Sequence, residues 1–185
     1  VEDAIEHVYK LKAFRYPTGG ALGTVRPLSN GASVYVDHLV STLSEEKPLA
    51  GQKIVLDCAN GAAYSVSPAA FEALGAEVVT LAVEPNGTNI NDGVGSTHPE
   101  KLQEAVIKHG ADMGIAHDGD SDRCQAVDEN GKLVDGDQIM AILAVAAKNA
   151  GILAQDTLVA TVMSSLGLEL YLKEHGINLV RTGVG

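Results

Sequence analysis

Apolar positions along the chain cluster into short runs separated by polar, glycine-containing stretches. Lys53-Ile54-Val55-Leu56-Asp57 predicts a short apolar strand, and Glu77 to Val83, Asp112 to His117 and Thr157 to Met163 predict three more. Arg123 to Val127, turned by Asp128-Glu129-Asn130-Gly131 into Lys132-Leu133-Val134, predicts a hairpin. Helical spacing fills the intervals. Ser67 is positioned to cap a helix that starts at Pro68 and ends at Gly75, and a second helix runs from Pro99 to Gly110. Asp135 is expected to cap a long helix through Asn149, apolar on most faces and therefore expected to be buried. Leu166 to Glu174 predicts a further helix, and Asn178 to Arg181 the start of another strand. Strands separated by helices of about ten to fifteen residues imply βαβ units. The expected fold class is α/β, with a mostly parallel mixed sheet sandwiched between helices and one hairpin at an edge.

The first thirty residues have a different texture. Val1 to Lys12 is mildly helical, and Tyr16-Pro17-Thr18-Gly19-Gly20 and Arg26-Pro27-Leu28-Ser29-Asn30-Gly31 interrupt any regular element. From Ala32 a helix is expected, with Val36, Leu39, Val40 and Leu43 on one face. The expected organisation is an exit helix and linker over 1–31, an α/β domain over 32–153, and the start of a further domain over 154–185. The chain opens on Val1 and ends on Gly183-Val184-Gly185 in mid-pattern, so it is expected to be cut at both ends. Its last strand, 157–163, is expected to dock on the domain or on a second copy, which makes self-association one expectation.

Charge and composition narrow the function. Acidic residues number 24 against 13 basic ones, for a net charge of -11, which argues against nucleic acid or an anionic membrane as partner. The longest apolar run, Ile139 to Ala147, is about half of what a membrane span needs. No export signal precedes the fold. Cys58 and Cys124 lie far apart and form no metal cluster, and are expected to be reduced core thiols in a cytoplasmic protein.

The densest polar feature is Asp118-Gly119-Asp120-Ser121-Asp122-Arg123, directly after an apolar strand. Carboxylates at every second residue can converge on one hard cation, which would relieve their mutual repulsion. Mg²⁺ suits a site offering few protein oxygens. Arg123 beside such an ion can grip a phosphoryl group bidentately. Three other readings remain. The loop can be a solvated turn, with Arg123 only offsetting its neighbours. It can be a calcium loop, with Asp118, Asp120, Asp122 and Glu129 at the EF-hand spacing, although Arg123 stands where that pattern needs glycine. It can also be the Asp-x-Asp of a haloacid-dehalogenase-type phosphatase, although Asp122-Arg123 does not fit that pattern. A weaker candidate is the glycine-rich loop through Ser96, Thr97 and His98. Its amides can face an anion, or Thr97 or His98 can cap the following helix. Asp57 to Gly61 is read as a structural turn, and His117 as the end of a strand.

The runs Asp57 to Tyr64, Asn89 to Glu100, His109 to Arg123, Val134 to Ile139 and Met163 to Leu168 together resemble the phosphoglucosamine mutases of the α-D-phosphohexomutase superfamily. The similarity runs from about residue 32 to the C-terminus. It implies a fold like the second of four domains surrounding one cleft, followed by the start of the third. It implies that Asp118, Asp120 and Asp122 ligate Mg²⁺ and that Arg123 contacts phosphate. A phosphoserine from the first domain would complete the metal site and transfer its phosphoryl group. The substrate implied is glucosamine phosphate, on the way to a peptidoglycan precursor in the cytoplasm. No nucleophile loop of that kind occurs in these 185 residues, and Ser96-Thr97-His98-Pro99 only echoes one. The chain alone is therefore expected to be inactive, with no catalytic residue of its own. The remaining domains of the same enzyme are its expected partners.

Overall fold

A computed structural model describes residues 1–12, 14 and 16–184. Residues 13 and 15 of the expected linker, and the terminal residue 185, lie outside the described residues. Two compact units are present, 1–31 and 32–185. In the first, helix α1 (Glu2–Leu11) ends at Lys12 in a left-handed conformation. Beyond it, the Tyr9, Phe14 and Tyr16 rings follow one another at centroid distances of 6.2 and 6.1 Å.

The second unit begins in helix α2 (Gly31–Ser41) and then builds a five-stranded sheet. In chain order its elements are β1 (Lys53–Asp57), α3 (Val66–Ala73), β2 (Glu77–Leu81), α4 (Glu100–His109), β3 (Met113–His117), β4 (Cys124–Asp128) and β5 (Leu133–Val134). The sheet order is β2-β1-β3-β4-β5. β1 pairs parallel with β2 and β3, whereas β3–β4 and β4–β5 are antiparallel. The mixed α/β sheet is as expected, with the hairpin β4–β5 at its edge. It is more evenly mixed than the strand pattern suggested, because the 118–123 loop itself joins two antiparallel strands.

The alternation of side chains along β1 explains the sandwich. Ile54 and Leu56 are fully buried against Phe71 of α3, Ala63 and Ile115. Val55 points the other way, into Leu102, Ala105 and Val106 of α4. One helix thus covers each face of the sheet, and β1 is buried on both.

The chain continues into α5 (Gly136–Asn149), β6 (Thr157–Thr161), α6 (Leu166–Glu174) and β7 (Asn178–Thr182). β6 and β7 form a separate two-stranded parallel sheet. Their core is Ala144 of α5 with Leu168 and Leu172 of α6 and Ile177. One face of the strand at 157–161 therefore finds cover from this chain's own helices, through Leu158, while Val159 on the other face is exposed.

Three local expectations are corrected. The capping box of Asp135 with Gln138 starts α5 as foreseen, but α5 is not buried. Only its Ala144 face is closed over, and Ile142 and Leu143 are exposed. Ser67 does not cap α3. The helix starts at Val66, and the Ser67 hydroxyl is taken by a residue of β3. Cys124 is an exposed thiol, not a core one, because it opens β4 at the rim of the sheet. No helix among the described residues is long and apolar enough to cross a membrane.

Candidate functional site

The strand order contains a change of direction. From β1 the chain steps to β2 on one side, then crosses back over β1 to β3 on the other. The two connecting helices lie on opposite faces, and the loops leaving β1 and β3 meet at the C-terminal ends of these neighbouring parallel strands. Asp57 ends β1, and Asp118 follows the end of β3, at that meeting point.

Backbone hydrogen bonds knit three loops together there. The fully buried Asp57 carboxylate accepts the Ala59 amide at 2.9 Å and the Gly95 amide at 2.8 Å. The Asn91 amide donates to the Ala59 carbonyl at 2.9 Å, and the Ser96 amide to the His117 carbonyl at 2.8 Å. The Ala62 amide donates to the Gly119 carbonyl at 2.8 Å. Gly119 has no room for a side chain, since a Cβ there would stand 2.7 Å from both Asn91 Nδ2 and Ile90 Cδ1. The Asp57 turn is structural, as expected, and what it supports is the platform under the acidic loop.

The acidic loop holds its three aspartates together. One carboxylate oxygen from each of Asp118, Asp120 and Asp122 lies within 4.8 Å of the others. Asp118 is buried, whereas Asp120 and Asp122 are exposed. Arg123 Nε donates to Asp118 Oδ2 at 2.7 Å, and the Arg123 amide to Oδ1 at 3.2 Å. The guanidinium also lies 3.4 Å from Asp122. Burial pushes the Asp118 carboxyl up, but the bonds and charge from Arg123 outweigh it and hold the group below its usual 3.8. The same partner raises Arg123. Ser121 closes the turn onto the Asp118 carbonyl at 3.1 Å, in a left-handed conformation with φ of +63°.

These residues suit a small, hard cation. Oxygens on one octahedral Mg²⁺ stand about 3 to 4 Å apart, given metal–oxygen distances of about 2.1 Å. Closing this triad therefore needs a contraction of about 1 Å, within reach of two exposed side chains. All three donors are carboxylates, and the flanking elements are antiparallel strands, not the helices of an EF-hand.

The second candidate loop behaves differently. The amides of Asn91, Asp92, Gly95, Ser96 and His98 all bond within the protein. Ser96 is buried and meets the residue before Asp118 through its backbone, while Thr97 and His98 are exposed. Neither caps α4, whose N-cap position is Pro99. One contact escaped sequence reasoning, and one expectation holds: Cys58 is a buried free thiol. Ser67 Oγ lies 2.9 Å from His117 Nε2, a contact across fifty residues that no local spacing announces. Burial pushes the Cys58 thiol, beside the Asp57 charge, up to about 12, so it stays protonated and inert.

Residues 33–131 match the phosphoglucomutase/phosphomannomutase alpha/beta/alpha domain II, and residues 135–185 match alpha/beta/alpha domain III. The chain is 60% identical to the phosphoglucosamine mutase of Kocuria rhizophila and 57% identical to that of Symbiobacterium thermophilum. In both cases the match covers 100% of this chain and 41% of the relative, so the chain spans about two-fifths of their length. A phosphoglucomutase/phosphomannomutase family protein from Burkholderia thailandensis superposes with a TM-score of 0.70 at 28% identity. That match covers 99% of this chain and 39% of the other.

Proposed function

This chain belongs to the phosphoglucomutase/phosphomannomutase family, and from that premise we propose that loop 118–123 is the Mg²⁺ site of a phosphoglucosamine mutase. The parent enzyme would interconvert glucosamine 6-phosphate and glucosamine 1-phosphate. The supporting observation is the convergence of Asp118, Asp120 and Asp122 at the C-terminal end of β3, beside that of β1. The choice of hexosamine rests on the names of the relatives at 57% and 60% identity.

In this reading each residue has a distinct task. Asp118, buried and held by Arg123, is the fixed ligand around which the other two close. Asp120 and Asp122 stay in water until an ion draws them in. When bound, Mg²⁺ would offset the charge on the phosphoryl oxygens as they transfer. Arg123 has committed its Nε to Asp118 and offers the outer edge of its guanidinium to a phosphate. Ser96, Thr97 and His98 remain secondary candidates for the same cleft.

We divide the chain into a linker over 1–31, the metal-loop domain over 32–153 and the start of a third domain over 154–185. In that division α5 falls in the middle piece, although the domain III match starts before it at residue 135 and it packs on α6 of the last. The phosphorylated serine and the sugar-reading surface would come from other domains of the same cytoplasmic enzyme, and the chain alone would not turn over substrate.

A Mn²⁺ titration followed by backbone NMR tests the site. Broadening centred on 118–123, reversed by Mg²⁺ and lost in Asp120→Ala, is the expected result. Scattered broadening that Mg²⁺ does not reverse would defeat it.

A further inference from the structure

Asp118 sits between two tethers. On one side, His117 is held by its ring to Ser67 Oγ at 2.9 Å and by its carbonyl to the Ser96 amide at 2.8 Å. On the other, the Gly119 carbonyl accepts the Ala62 amide at 2.8 Å. Ser67 is the second residue of α3, and Ala62 belongs to the turn leading into that helix. One segment, 62–67, therefore grips the chain immediately before and immediately after Asp118. Peptide groups are planar and rigid, so fixing those on both sides of a residue leaves its side chain little freedom of direction.

We propose that Ser67 and His117 are a positioning pair that aims the Asp118 carboxylate and so sets the geometry of loop 118–123. The proposal deepens the metal-site reading. Ser67 supports it from a second direction. It is 8% exposed, and a buried hydroxyl costs stability unless bonded. Its one hydrogen bond to another side chain crosses from α3 to β3, one residue from the buried aspartate. Packing on the sheet would need only an alanine at this position. The hydroxyl serves the loop.

Amide hydrogen exchange tests this directly at Ala62, Ser121 and Arg123, whose N–H groups all bond within the loop assembly. Ser67→Ala and His117→Phe are expected to speed exchange at these amides by about fivefold, the size of one lost hydrogen bond. His117→Gln, whose side-chain amide can reach the Nε2 position, is expected to restore protection. Val55 in β1 and Val79 in the neighbouring β2, both packed under α4, are expected to be unchanged. Mn²⁺ affinity measured on the same proteins is expected to fall by a similar factor in the first two variants and not in the third. Unchanged exchange at the three loop amides would overturn the proposal. So would equal acceleration at Val55 and Val79, or a His117→Gln protein as loose as His117→Phe. Should the exchange pattern hold while the parent chain binds no Mn²⁺, the positioning pair stands and the metal reading falls. Should all four proteins bind Mn²⁺ alike with unchanged exchange, the reverse holds.

Discussion

Gly61 and Gly119 meet backbone to backbone, so closely that a Cβ on Gly61 would overlap the Gly119 carbonyl oxygen. That carbonyl is also the acceptor for the Ala62 amide. The turn after β1 and the acidic loop after β3 are thus in contact at the one point where neither has a side chain. Gly61→Ala is expected to push the acidic loop outward, because neither backbone can rotate away as a side chain would. The expected cost is about 1–3 kcal/mol of stability, typical of overpacking. Thermal unfolding together with amide shifts over 118–123 checks it. A variant with parental stability and unmoved loop shifts would show that the contact is loose.

Asp120→Asn is expected to change sign with the metal. In chelator, removing one of three converging carboxylates relieves repulsion, so stability should be equal to the parent or higher by a few tenths of a kcal/mol. With excess Mg²⁺ the parent should gain stability by ligand binding and the variant should gain much less. Paired melting curves, with and without Mg²⁺, read this out. Parallel curves in both conditions would count against a metal role for Asp120.

Burial holds His117 below its ordinary pKa of 6.5, against the raising influence of Asp118 and Asp57. The unfolded chain then binds this proton near pH 6.5, while the folded chain does so only at lower pH. Between the two values the unfolded state carries more protons, so the stability contribution is intact above about 6.5 and is lost as pH falls below it. Urea unfolding from pH 8 to 5 is expected to show this decline, and His117→Gln is expected to flatten it. A parallel decline in both proteins would assign the pH dependence to other groups.

Leu172 is fully buried in the core shared by α5, α6 and the β6–β7 sheet, apart from the clusters around β1. Leu172→Ala is expected to cost about 2–5 kcal/mol, locally. Exchange should accelerate in β6 and β7 while Val55 and Leu56 in β1 stay protected. Uniform acceleration would mean that the two cores unfold as one.

Much of this protein is written in short-range pattern. The apolar block at 53–57 is a strand, and Asp135 with Gln138 starts a helix by bonding to its own first turn. Asp118-Gly119-Asp120-Ser121-Asp122-Arg123 draws three carboxylates together within six residues. Each of these depends on neighbours a few positions away, so each is legible without the fold. The resemblance to phosphohexomutases was legible for the same reason, since it rests on contiguous motifs.

Tertiary structure decided what those elements do to one another. α5 looks buried from its composition, yet exposes Ile142 and Leu143, because burial depends on which elements pack against it. Ser67 resembles a helix cap, yet its hydroxyl goes to His117, fifty residues away. Cys58 and Cys124 are alike in sequence and opposite in exposure, since one follows β1, buried on both faces, and the other opens β4 at its exposed end. The amides of Gly95 and Ser96 look outward in a linear reading and turn inward because β1 and β3 end beside them. Sequence by itself determined the elements and the acidic loop, through local geometry and periodicity. Only the three-dimensional chain decided how Asp118 is aimed, because the groups that hold it come from segments that meet only once the sheet has formed.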